Sequence, residues 1–246
     1  IRWIGILYEK IKTDLAASRG IYDGETVIKN LLVGAKVTQV VSAIYKKGPA
    51  VISNMVDTLQ AALDQWRDDP AICAVLIDGS GGKGFCAGGD VQALHASAVE
   101  TPGGPCEYAE NFFLREYRLD YSLHTYPKPI ICWGHGIVMG GGLGVMAGCS
   151  HRVVTERTRI AMPDVTIALF PDVGGSWFLN HMPGRSGQFL ALTGASINAA
   201  DALYTGIADR FIEHAAREQL LADLRLDPPG IADTCRRLAT QLKLAD

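Results

Sequence analysis

The stretch Cys73-Ala74-Val75-Leu76-Ile77 runs on through Asp78 into Gly79, and six glycines then fall within eleven residues, ending in Gly84-Phe85-Cys86-Ala87-Gly88-Gly89-Asp90. A short apolar run bounded by turn signals reads as a strand covered on both faces. A glycine cluster lets backbone N–H groups approach something closely. Helical spacing resumes at 90–97 and again at 107–124. The unit is therefore strand, glycine-rich turn, helix.

The same alternation extends in both directions. Upstream, Pro49 opens a helix with Ile52, Met55, Val56, Leu59, Leu63 and Trp66 on one face, closed by Asp68-Asp69-Pro70. Before it lie a short strand at 14–18, a helix capped by Asp23 and ended by Gly34, and a strand at 37–41. Downstream, Pro127-Lys128-Pro129 leads into the strand Ile130-Ile131-Cys132-Trp133, and Gly140-Gly141-Gly142 opens a short apolar helix ending near Gly148. After 174 the chain reads as mostly helical, with breaks at Pro183-Gly184, Gly194, Gly206 and Pro228-Pro229-Gly230. Alternation of this kind predicts an α/β fold, a parallel or mixed sheet with helices packed on it.

The 246 residues carry 48% hydrophobic and 20% charged side chains, enough for a substantial core. The net charge of −3 gives no basic excess for nucleic acid or an anionic membrane. No apolar run has the length of a membrane span, and Ile1-Arg2-Trp3-Ile4-Gly5 lacks the features of a signal peptide. The six cysteines (73, 86, 106, 132, 149, 235) are scattered, which predicts reduced thiols in a reducing, cytoplasmic setting and no zinc site.

Four stretches carry chemistry: residues 84–90; Gly134-His135-Gly136 with Met139-Gly140-Gly141-Gly142-Leu143-Gly144; Ala161-Met162-Pro163-Asp164; and Leu169-Phe170-Pro171-Asp172-Val173-Gly174-Gly175. Each of the two glycine turns precedes a helix and so offers unpaired N–H groups at a positive dipole end. Two such groups converging on one point make an oxyanion hole. Asp164 and Asp172 supply carboxylates for acid or base work. Taken singly, a glycine turn is usually only a turn, and an Asp before a helix, such as Asp90 or Asp172, is usually an N-cap.

In this order the four stretches resemble the enoyl-CoA hydratase/isomerase (crotonase) superfamily over residues 53–212, and within it the 3-hydroxyisobutyryl-CoA hydrolase type. Further matching text is Phe112-Phe113-Leu114-Arg115-Glu116-Tyr117, Phe189-Leu190-Ala191-Leu192-Thr193-Gly194 and Gly206-Ile207-Ala208. The resemblance implies a ββα spiral and hydrolysis of an acyl-CoA thioester, as in valine catabolism. It implies acyl-CoA as substrate, no further cofactor, no metal, and a homo-oligomer. It assigns the oxyanion hole to the N–H groups of Gly89 and Gly141. Acidic substrate-binding and catalytic roles fall to Glu116, Asp164 and Asp172, and the CoA loop to Ala87, Gly88 and Asp90.

The sequence departs from the pattern at three places. Gly144 stands where hydratases carry a Glu, which disfavours hydration, since that needs two carboxylates. Asp164 stands where the hydrolase carries a Glu, one methylene longer. Residues 1–52 lack the usual first hairpin and instead resemble the end of a dihydroorotate dehydrogenase, a quarter of a TIM barrel with a βαβα order. A quarter barrel cannot enclose a flavin. This divides the chain at 1–52 and 53–246, as in a chimera, and relatives of the hydrolase type continue well past Ile207-Ala208-Asp209. The leading expectation is an acyl-CoA thioester hydrolase. A non-catalytic or impaired chimera, an enoyl-CoA hydratase/isomerase, and a flavin-binding fragment stay open beside it.

Overall fold

The computed structural model describes residues 15–17, 35–38, 50–70, 72, 74–79 and 82–217. It groups into two compact units: residues up to 62 with 80–83 and 89–119, and residues 63–79, 84–88 and 120 onward.

In the first unit, strand β1 (Leu15–Ala17) runs parallel to β2 (Ala35–Thr38), with Leu15 opposite Ala35 and Ala17 opposite Thr38. β1 falls within the expected strand at 14–18, and β2 begins two residues earlier than the expected strand at 37–41 and shares Val37 and Thr38 with it. The helix expected between them and the break at 228–230 lie outside the described residues. One parallel pair is all the described residues offer of the expected quarter barrel. Helix α1 (Ala50–Trp66) follows Pro49 directly. Helix α2 (Val91–Glu100) is capped by Asp90, whose carboxylate accepts the Ala93 N–H at 3.0 Å. Helix α3 (Glu107–His124) begins with Glu107 and Glu110 in its first turn, where negative charge suits the dipole, and buries Phe112 and Leu119 two turns apart.

The second unit holds two parallel sheets. Strands β3 (Val75–Asp78), β5 (Ile130–Gly134), β7 (His151–Val154) and β9 (Arg210–Phe211) form one, in the order β3-β5-β7-β9. Strands β4 (Gly84–Cys86), β6 (Ile137–Met139) and β8 (Arg159–Ala161) form the other, in the order β4-β6-β8. Among the described residues, the named strands of both sheets pair parallel. The chain thus lays one strand in each sheet in turn: β3 then β4, β5 then β6, β7 then β8. This is the ββα spiral. Ile130, Cys132 and Trp133 of β5 are almost wholly buried, because this central strand is covered on both faces. Burying one side chain such as Ile130 contributes about 1.5–3 kcal/mol.

Helix α4 (Gly141–Gly148) follows β6 and is buried at Gly142, Leu143, Gly144 and Met146. Beyond β8 come a 3-10 turn (Pro163–Ile167), the short helix α5 (Gly175–Phe178), α6 (Ser186–Thr193) and α7 (Ala199–Thr205). Gly194 and Gly206 end the last two in left-handed conformations. Strand β9 interrupts the helical run that the sequence predicts to the end. It is two residues long and makes sense only as an edge added to β7.

Candidate active site

The parallel pairing of β4 and β6 brings two glycine arms together in the second unit. Gly140, at φ 52° and ψ −127°, holds a conformation that a side chain would oppose, and its carbonyl accepts the N–H groups of Leu143 and Gly144. Helix α4 then opens at Gly141, so its first N–H groups have no acceptor within the helix and sit at the positive dipole end. The β4 arm reaches the same place. A Cβ built on Gly88, itself at φ 102°, would lie 3.2 Å from the Met139 carbonyl oxygen and 3.4 Å from the Gly141 nitrogen. Here main chain packs on main chain.

The acidic pair comes from the segment after β8. Asp164, in the 3-10 turn, and Asp172 are both more than nine-tenths buried. The Asp164 Oδ2 oxygen has no hydrogen-bond partner among the described residues. Burial raises the Asp164 carboxyl above its ordinary value of 3.8. The Asp172 charge adds to the rise, and a hydrogen bond from Asp164's own backbone opposes it. A buried carboxyl with a bare oxygen and a raised affinity for protons is suited to taking a proton from water.

Asp172 is followed by Val173 at φ 42° and Gly174 at φ 83°, and the Gly175 N–H closes the turn on the Asp172 carbonyl at 2.5 Å. Left-handed backbone at a β-branched residue is rare and strained, and such strain collects at functional sites. Val173 is buried, and its side chain fills the space beside Gly144.

The sequence-predicted residues divide between the units. Ala87, Gly88, Gly141, Asp164 and Asp172 lie in the second. Within it, Gly88 meets Gly141, and Asp164 feels the charge of Asp172. Ala87 is exposed. Gly89, Asp90 and Glu116 lie in the first. There, a Cβ on Gly89 would come 2.5 Å from the Phe112 ring, and Glu116 is half-buried on α3. Asp90 caps its helix as read. Asp172 does not: Gly174 is at the N-cap of α5, and no side chain caps that helix. The reason is the tight turn through Val173, which places Asp172 two residues before the N-cap.

Sequence reasoning missed the strained Val173. It also missed a cluster at the carboxyl ends of the four-stranded sheet, where Asp78, His135, His214 and Arg217 meet. Among the described residues, no group of three or more His, Cys, Asp or Glu is arranged to hold a metal ion. No helix there is long and apolar enough to cross a membrane.

Residues 46–244 match the family model described as enoyl-CoA hydratase/isomerase. The mitochondrial 3-hydroxyisobutyryl-CoA hydrolase of Xenopus tropicalis is 41% identical over 172 residues, covering 69% of this chain and 43% of that protein. The small ribosomal subunit protein mS47 of Neurospora crassa is 39% identical over 178 residues, covering 71% of this chain and 35% of that one. The chain spans about half the length, or less, of these curated relatives. Among solved structures, an enoyl-CoA hydratase from Rhodobacter sphaeroides 2.4.1 superposes with a TM-score of 0.65 at 41% identity, covering 69% of this chain and 50% of that one. The spiral of parallel sheets is thus a crotonase-like α/β fold, and the chain belongs to the enoyl-CoA hydratase/isomerase family.

Proposed function

We propose that the chain is an acyl-CoA thioester hydrolase of the 3-hydroxyisobutyryl-CoA hydrolase kind. The observation that carries this reading is the pairing of a buried, under-bonded Asp164 with a Gly144 that has no room for a second catalytic acid. Adding water across a double bond needs a second carboxylate at position 144. Hydrolysis of a thioester needs a base, a water and a hole for one oxyanion.

The mechanism follows. The family resemblance assigns to the Gly89 and Gly141 N–H groups the role of donors to the thioester carbonyl oxygen as it becomes an oxyanion. Gly141 starts α4, and Gly89 is the residue after Gly88, whose backbone lies against Gly140 and Gly141. Ionised Asp164 takes a proton from water, and the water oxygen bonds to the carbonyl carbon. The carbon–sulfur bond then breaks, and the proton passes from Asp164 to the departing CoA sulfur. The products are a carboxylic acid and the free CoA thiol. Asp172 keeps Asp164 basic and, with Glu116, contacts the polar part of the acyl group. Ala87, Gly88 and Asp90 line the CoA end, with Asp90 acting through its helix cap. The substrate supplies the only nucleotide, and no cofactor takes part.

A second reading has one observation in its favour. The Neurospora crassa relative, at almost the same identity, is named as a ribosomal subunit protein, so a chain of this family can serve in an assembly. Under that reading the chain binds CoA weakly and turns nothing over. Release of free thiol from 3-hydroxyisobutyryl-CoA, followed together with CoA binding by calorimetry, separates the two. Turnover supports the hydrolase, and its absence at saturating substrate supports the assembly role.

A further inference from the structure

The turn Gly134-His135-Gly136 is the point from which both glycine arms are fixed. Its three successive carbonyls are all engaged. The Thr158 hydroxyl donates to Gly134 O at 2.6 Å. The Phe85 N–H, in the middle of β4, donates to His135 O at 2.8 Å. The Arg159 N–H, at the start of β8, donates to Gly136 O at 2.7 Å. Strand β6 leaves the turn at Ile137 and reaches Gly140 and Gly141, while β4 runs on from Phe85 to Cys86, Ala87 and Gly88.

His135 is the turn's one residue with a side chain, and that side chain is buried. Its Nδ1 lies 3.4 Å from Asp78 Oδ1 at the carboxyl end of β3, within ion-pair reach but outside hydrogen-bond geometry. Its ring centroid is 5.1 Å from that of His214. Asp78 is in turn held by Arg217, whose Nε donates to Asp78 Oδ2 at 2.8 Å and whose Nη2 contacts the same oxygen. The other charged groups at this edge are Glu156, which accepts the His214 backbone N–H at 2.8 Å, and Arg157. Gly134 is held in β5 opposite Val154 and Gly136 is bridged to Gly84, so the backbone of the turn is fixed by the sheets, and the imidazole is its one side chain, buried against Asp78 and His214.

We propose that His135 is a positioning residue for the backbone contact between Gly88 and Gly141: buried against Asp78 and His214, it sets the turn from which the Gly88 arm and the Gly141 arm are both hung. The proposal deepens the thioesterase reading and rests on it for its catalytic consequence. Asp78 and Arg217 belong to the same device, so the segment carrying His214 and Arg217 meets the turn through two contacts, His214 with His135 and Arg217 with Asp78. Misplacement by about 1 Å is enough to reduce turnover on the order of a hundredfold, so a loosened anchor should act on the rate and spare CoA affinity.

The test uses the full chain and three variants: His135→Phe, which keeps ring volume without a polar nitrogen; His135→Gln, which keeps a donor for Asp78; and Asp78→Asn. The first readout is the 15N–1H amide resonances of Gly88 and Gly141, which needs no activity. His135→Phe should shift both, Asp78→Asn should shift both in the same direction, and His135→Gln should leave them near wild type. The second readout is thiol release. His135→Phe should lose roughly tenfold or more in kcat with CoA affinity unchanged within about threefold, and His135→Gln should recover most of it. Unmoved glycine amides in His135→Phe, or equal loss in Phe and Gln variants, would overturn the positioning role. A wild-type protein that releases no thiol would overturn the thioesterase reading instead, while the amide shifts still decide the role of His135.

Discussion

Val173 occupies the space that a side chain on Gly144 would need: a Cβ built on Gly144 would lie 2.4 Å from the Val173 Cβ and 2.8 Å from its Cγ2. Two features of the site meet in this contact. Gly144 is the position that the proposed function reads as lacking a second acid, and Val173 is the strained residue directly after Asp172. The residue that fills the space beside Gly144 is therefore part of the acidic turn itself.

Gly144→Ala should destabilise the protein by about 1–3 kcal/mol, the usual effect of forcing a methyl into a packed core, despite the better helix propensity of Ala. Val173→Gly suits the left-handed backbone and empties the contested space, so the double variant should recover part of the loss. Chemical denaturation of the wild type, both single variants and the double variant measures this. Simple additivity would mean that the two residues do not compete for space.

Asp164 should show opposite effects on stability and activity. Asp164→Asn removes a buried charge that faces Asp172, so thermal stability at neutral pH should rise while thiol release falls by a hundredfold or so, the usual range for a lost general base. A fall in both would mean that the carboxylate serves the fold instead.

The pH profile gives a signed test of the same pair. Asp164 must be ionised to accept a proton, and its carboxyl is raised above 3.8, first by burial and further by Asp172. The acid limb of kcat/KM should therefore lie above 3.8. Asp172→Asn removes the neighbouring negative charge and should move that limb to lower pH. A limb that stays in place in Asp172→Asn contradicts the coupling.

Asp164→Glu restores the length that the hydrolase type carries at this position. It should raise turnover, because the carboxylate gains reach toward the attacking water. The alternative is that Asp164 serves as a turn cap: its carboxyl takes a hydrogen bond from its own backbone, while Oδ2 has no partner among the described residues. Flat or lower turnover in Asp164→Glu, with full activity in Asp164→Asn, would shift the base to Asp172 or Glu116.

Much of this was legible in the sequence because local signals and tertiary demands agree. The bounds of α3 and α4 follow from residues 107–124 and from the glycines at 140–142 and 148. Asp90 is read correctly as a cap, because an Asp followed by a helical pattern has one local use. Asp172 has the same local pattern and a different fate, since the turn through Val173 and Gly174 is imposed by packing on Gly144, 29 positions earlier in the chain. Strand β9 has only two residues and no signal apart from the edge of β7 that it joins. His135 was visible between its two glycines. Its partners Asp78, His214 and Arg217 are distant in sequence and are gathered only by the parallel order of the sheet.

The most direct measurement is release of free thiol from 3-hydroxyisobutyryl-CoA by the wild-type chain and by Asp164→Asn, with CoA binding followed in both. The account predicts steady thiol release by the wild type, loss of that release in Asp164→Asn, and equal CoA affinity in the two proteins. Equal thiol release by both proteins, or CoA binding by the wild type with no release at saturating substrate, would contradict it.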